Sequence, residues 1–158
     1  MTLPRVSIQV QDFNLAQEIA TLRQHDKRVG AVCSFTGTVR DRNDGLKVSS
    51  MELEHYPGMT EKAIEAMVDE AMARFDIFGA RVVHRIGLLQ PLDQVVMVAV
   101  TSSHRGDSFK ACEFLMDYLK TQAPFWKKEQ TPEGARWVDA RVSDDAALAK
   151  WGISAGNA

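Results

Sequence analysis

The stretch VVMVAVTSSHRGDSFKACEFLMDYLKTQAPFWKKEQT, Val95 to Thr131, decides how the chain folds. Val95 to Thr101 is apolar and rich in β-branched residues without alternation, which suits a strand buried on both faces at the centre of a sheet. From Gly106 or Asp107 to Gln122, Phe109, Cys112, Leu115, Met116 and Leu119 recur on one side of a helix. Pro124 stops that helix because its ring blocks the next turn. Phe125 to Thr131 then reads as another strand, in which Phe125, Lys127 and Glu129 share one face and Trp126, Lys128 and Gln130 the other.

Outward from this segment, Ala80 to Ile86 is strand-like, and Pro91, Leu92 and Asp93 turn the chain into the apolar run. Thr60 is placed to cap a helix with a stripe of Ile64, Met67, Val68, Ala71 and Phe75. Lys47 to Tyr56 predicts a strand closed by Pro57 and Gly58, and DRNDG before it a loop. Val29, Ala31, Cys33 and Phe35 mark one face of a strand that runs on to Arg40. At the start, VSIQV alternates as a strand, and Asn14 can cap a helix carrying Leu15, Ile19 and Leu22. Downstream, TPEG is a turn, 135–142 a last strand and 144–151 a short helix. Several neighbouring strands are joined by connections too short for crossover helices. We therefore expect an α+β fold with a mainly antiparallel or mixed sheet and packed helices, a single domain over 1–151, and a disordered tail at 152–158.

Composition limits the function classes. Nineteen Lys plus Arg against 21 Asp plus Glu leave a formal charge of −2, so no global positive field favours nucleic acid or an anionic membrane, and any anion site must be local. The longest wholly apolar run, Val95 to Val100, is far short of the roughly 20 residues that span a bilayer. The opening MTLPRVSIQVQDF has no continuous apolar segment after Arg5 and does not read as a secretory signal, so the expected address is cytoplasmic. Cys33 and Cys112 have no paired spacing and sit on apolar faces, as inert core residues. His25, His55, His84 and His104 form no metal-binding pair, and no metal or cofactor is expected.

Three constellations can carry chemistry. Lys120, Lys127 and Lys128 lie where a helix ends and a strand begins, with Pro124, Phe125 and Trp126 between them. They either complement the helix dipole as solvated cations or form a site in which a partly desolvated lysine serves as acid, base or nucleophile. Only one of the two adjacent lysines can face a site shared with Lys120. Ser102, Ser103, His104 and Arg105 stand at a helix start, where backbone amides favour anions; the alternative is that Ser103 or Asp107 merely caps the helix. Gly37, Thr38, Val39 and Arg40 end a strand, and Arg40 has the fork geometry that matches phosphate oxygens.

The strings FTGTVR, LEHYPGMTEKA, HRIG, TSSHRGDSF, MDYLKTQAPFWKKE and TPEGARWV, in that order, resemble the MoaE family, the large catalytic subunit of molybdopterin synthase. The likeness runs from about Val32 to Trp151. It implies an α/β hammerhead-like fold and a sulfurtransferase that converts cyclic pyranopterin monophosphate to molybdopterin, in molybdenum cofactor biosynthesis. The implied sulfur donor is a small ubiquitin-like, MoaD-like subunit whose C-terminal Gly-Gly carries a thiocarboxylate, the two chains assembling as a heterotetramer around a homodimer of the large subunit. Carried over by position, Lys120 and Lys127 are catalytic, and Thr38, Val39, Arg40, His104, Arg105, Lys128 and Glu129 join them in binding substrate. Thr38 departs from relatives that have Lys there. The competing reading is a noncatalytic module that holds a nucleotide or another phosphorylated metabolite on the same cations.

Overall fold

An apolar run without a polar face needs cover on both sides, and the computed structural model supplies it. The structure describes residues 4–43, 45–138 and 142–153, with backbone alone for 142–145. The run lies within Gln94–Ser102 (β8), inside a four-stranded sheet ordered Val6–Gln9 (β1), Gly79–Arg85 (β6), β8, Ala31–Thr38 (β2). β1 and β6 are parallel and the other pairs antiparallel, so the sheet is mixed, as expected. Val96, Val98 and Val100 pack on one face against Ile64, Met67, Val68 and Ala71 of Met59–Arg74 (α2) and Ala111, Cys112, Leu115 and Leu119 of Arg105–Gln122 (α3). Met97 and Ala99 point to the other face, where Leu15–Arg23 (α1) covers them with Leu15, Ile19 and Leu22. Asn14 caps α1 as predicted, accepting from the Gln17 N–H at 3.1 Å. Each fully buried aliphatic side chain contributes roughly 1.5–3 kcal/mol, so β8 and the two helix stripes are the stabilising centre.

A second, wholly antiparallel sheet is ordered Gly134–Val138 (β10), Phe125–Thr131 (β9), Ser50–His55 (β5), Gly87–Leu89 (β7). Its inner face buries Met51, Leu53 and Leu89 together with Val39. Val142–Ala149 (α4) is followed by Trp151, which packs edge-on against Phe114 at 5.6 Å and donates its indole N–H to Asp117.

Several expectations need correction. The DRNDG loop contains a hairpin of Arg42–Asn43 (β3) and Leu46–Lys47 (β4), and the strand anticipated over 47–56 is broken between β4 and β5. β7 was not anticipated, being three residues held only by pairing with β5. Thr60 does not cap α2. Gly58, at φ +85°, stands at the cap position and its N–H donates to Glu61, while Thr60 is buried and its hydroxyl accepts from the Tyr56 N–H. Phe109 is 59% exposed: it lies near the start of α3, one to two turns before Cys112 and Met116 on the same face, which are buried. Phe35 is exposed and Cys33 only half-buried because β2 is an edge strand. The last predicted strand is described as far as Val138; 139–141 and 154–158, with most of the predicted tail, lie outside the described residues.

Candidate functional site

The site grows from the alternation of β9. Phe125 and Lys127 point inward, and the Phe125 ring stacks on the His84 imidazole of β6 with centroids 3.9 Å apart and planes 18° apart. Trp126 and Lys128 point outward: Trp126 packs edge-on against Tyr56 at 4.5 Å, and the Lys128 ammonium lies 5.7 Å from the Trp137 ring. Of the two adjacent lysines, Lys127 therefore shares a face with His84. Lys120, in the last turn of α3, is exposed, and the chain turns through Ala123 and Pro124 directly into β9.

His84 registers this convergence. Burial pushes its imidazole down to about 4, opposed by the contact of Nδ1 with the Arg85 carbonyl at 2.8 Å, and the neighbouring Lys120, Lys127 and His55 push it further down. The ring is neutral at pH 7. A carbonyl oxygen can only accept, so Nδ1 carries the hydrogen and Nε2 keeps its lone pair. His55 sits opposite Phe125 in the β5–β9 ladder, its Nε2 3.7 Å from Glu61. An open cleft of about 590 Å³ on the outer face, the side of Trp126 and Lys128, is lined by Glu54, His55, Tyr56, Trp126 and Trp137.

Glu129 and Val39 occupy supporting positions. The buried Glu129 carboxylate accepts from the Asn43 amide at 2.9 Å and from Arg136 at 3.2 Å, and Arg136 also donates to the Asn43 carbonyl. The carboxylate thereby ties the β3–β4 hairpin to β9 and β10. Val39 packs against Leu53, the ladder partner of Lys127; its N–H donates to Asp93 and its carbonyl accepts from Leu92. Thr38 and Arg40, on either side of that anchor, are exposed.

His104 and Arg105 stand exposed at the opposite end of α3. Neither Ser103 nor Asp107 caps the helix: the cap residue is His104, without a side-chain bond, while the Ser108 hydroxyl bonds the Arg105 carbonyl. At about 1.5 Å per residue, roughly 22 Å of helix separates Arg105 from Lys120. One chain therefore brings Lys120, Lys127, His84 and His55 together and leaves His104 and Arg105 apart from them.

Cys112 is buried beside Cys33, and burial, aided by that neighbour, pushes its thiol up to about 12, away from the reactive thiolate. Among the described residues no group of three or more His, Cys, Asp or Glu could hold a metal ion, and no described helix is long and apolar enough to cross a membrane. Sequence reasoning missed His84 and His55 as members of the cluster. The available signal was His84 itself, a polar residue ending the alternating row Ala80, Val82, His84, whose first two members are core.

The family described as MoaE protein matches residues 8–122. The chain is 63% identical over 156 residues to the molybdopterin synthase catalytic subunit of Ralstonia nicotianae, covering 99% of this chain and 89% of that protein. It is 50% identical to the Escherichia coli protein of the same name, covering 96% of this chain and all of that one. Among solved structures, the molybdopterin biosynthesis MoaE protein of Burkholderia ambifaria superposes with a TM-score of 0.83 at 57% identity, over 96% of this chain and 100% of the other.

Proposed function

Given that this chain belongs to the MoaE family, we propose that it is the catalytic subunit of molybdopterin synthase and converts cyclic pyranopterin monophosphate to molybdopterin. The observation that carries the reading is the convergence of Lys120 and Lys127 on a buried, neutral histidine, which gathers positive charge for an anionic substrate without adding a third cation. The sulfur arrives twice, each time as the C-terminal thiocarboxylate of a small ubiquitin-like subunit with a Gly-Gly tail. In each transfer the partner's C–S bond gives way to a C–O bond, leaving a carboxylate, while the substrate carbon exchanges oxygen for sulfur. Neither cysteine of this chain takes part.

Lys120, exposed at the helix end, is the principal acid and base beside the incoming tail. Lys127 stabilises anionic intermediates and helps to protonate the departing oxygen. Arg40, His104 and Arg105 hold the substrate phosphate by charge-assisted hydrogen bonds, and Thr38 contributes through its backbone. Since Val39 and Glu129 have their polar groups engaged within the fold, they hold the neighbouring strands in place. Lys128, on the outer face, adds positive potential beside the cleft. The length of α3 favours a homodimer in which His104 and Arg105 reach the site from a second copy, with two small subunits completing a heterotetramer. The catalytic domain spans 1–151, and its compartment is the cytoplasm, which keeps both cysteines reduced.

The test combines this protein with a thiocarboxylated small subunit and the cyclic pterin and measures the dithiolene product. Product should form, and Lys120→Ala should abolish turnover while changing ligand affinity little. Absence of product from well-folded components would overturn the enzymatic reading; a Lys120→Ala variant that weakens binding alone would favour a noncatalytic phosphometabolite module.

A further inference from the structure

The edge of a sheet presents backbone N–H and C=O groups without ladder partners, and proteins blunt such edges with charges, prolines, short strands or bulges. Three of the four edges of the two large sheets follow this rule: β1 has four residues and comes directly after Pro4 and Arg5, β7 has three residues, and β10 carries Arg136. β2 does not. Its eight residues, AVCSFTGT, hold no charge and no proline, and the bulge at Gly37 and Thr38 touches one end alone. Val32 and Phe35 are exposed along it, and so is Phe109, one turn before the Cys112 that lies beside Cys33.

The same strand joins the two separated halves of the site. Ala31 pairs with Ser102, the Gly30 N–H donates to the Ser102 carbonyl at 3.0 Å, and a side chain at Gly30 would come within 2.4 Å of the Ser103 carbonyl oxygen. β2 therefore starts beside His104 and Arg105. It ends at Thr38 and runs on into Val39 and Arg40, with Val39 packed against Leu53, the ladder partner of Lys127. At about 3.3 Å per residue its first and last residues lie roughly 23 Å apart, close to the length of α3 that separates Arg105 from Lys120.

We propose that β2 is the seam of the homodimer, its outer edge pairing antiparallel with the same edge of a second copy about a twofold axis at Ser34 and Phe35. The proposal rests on the shared-site reading above and names the surface that makes it. Antiparallel pairing reverses one strand against the other, so the Ala31 end of each copy meets the Thr38 end of its mate. His104 and Arg105 of one chain then stand beside Arg40, Lys120 and Lys127 of the other, in two equivalent sites. The twofold keeps both α3 helices on one side of the continuous sheet, where they run antiparallel and cover Phe35 and Phe109. A twofold on the aromatic face of the second sheet would instead set lysine end against lysine end and leave Arg105 distant.

Analytical ultracentrifugation of the full chain reads the seam. Wild type should sediment as a dimer. Ser34 is exposed near the axis, so Ser34→Lys or Ser34→Glu sets like charges across the seam and should raise the dimer dissociation constant about tenfold or more. Mixing the two variants should restore dimers, because opposite charges then face each other. Leu88→Lys, exposed on the second sheet, should leave the dimer unchanged. In wild type, the outward amides of 32–36 should exchange hydrogen about tenfold more slowly in the dimer than after dilution to monomer. A wild type that stays monomeric until the small subunit is added would give this edge to that partner and overturn the proposal. So would a dimer indifferent to Ser34→Lys, or one dissociated by Leu88→Lys alone. If the Ser34 variants do not fold, hydrogen exchange decides. Sedimentation judges the seam whether or not dithiolene forms, and an inactive mixture of dimeric chains would count against the synthase reading alone.

Discussion

Subunit complementation tests the reach of α3 most directly. Arg105 and Lys120 are at opposite ends of one helix, separated by about 22 Å at 1.5 Å per residue, beyond the span of two side chains around one small phosphorylated ligand. If both serve one site, Arg105 must come from a second copy. Arg105→Ala and Lys120→Ala should each be inactive alone. Mixed in equal amounts and allowed to exchange, half the dimers become mixed, and each mixed dimer has one intact site and one carrying both lesions. Activity should therefore rise from background to about one quarter of an equal amount of wild type. The double variant makes the converse control: exchanged in equal amounts with wild type, it should halve the measured rate, because a wild-type chain paired with it supplies half of two broken sites. Activity is read as dithiolene product, and exchange is verified by mass-tagged subunits. Proven exchange without recovered activity, or a rate unaffected by the double variant, would refute the shared site.

The remaining predictions concern stability and sulfur routing. The double change Cys33→Ala and Cys112→Ala should keep turnover per folded molecule, while the lost packing costs on the order of 1 kcal/mol in urea unfolding; activity collapsing with the fold intact would make one cysteine a sulfur carrier. His84, held down to about 4 in the fold, takes a proton readily once unfolded, near pH 6.5, so its contribution to pH dependence is stability lost as pH falls from about 6.5 to 4, amounting to roughly 3 kcal/mol at full effect. Urea midpoints at pH 7 and 4.5 should differ more in wild type than in His84→Phe; equal differences would contradict the burial argument. Glu129→Ala should lower stability by about 2 kcal/mol, since it removes a buried acceptor shared by Asn43 and Arg136, and an unchanged urea midpoint would show that the carboxylate does not secure the β3–β4 hairpin.

Most of this fold was legible because local pattern and global burial agree. The unbroken apolar run of β8 could only be a strand covered twice, and the three-and-four spacing on α2 and α3 named the residues that cover one side. Pro124 and the alternation of β9 correctly separated Lys127 from Lys128, because strand geometry forces neighbours to opposite faces whatever the partner strands are. Phe35 and Phe109 were misplaced for a common reason: periodicity identifies an apolar face but cannot tell whether the strand lies at a sheet edge or how far along a helix the cover extends.

By itself the amino-acid sequence determined the elements, the cationic segments and, through its ordered strings, the family. Only the tertiary structure decided that His84, from a strand far back in the chain, stacks on Phe125 beside Lys120 and Lys127, and that His104 and Arg105 do not join them within one chain. The physical reason is that backbone pattern is set by neighbours along the chain. Which side chains share one desolvated space is set by how β6 and β9, each belonging to a different sheet, and the end of α3 pack together.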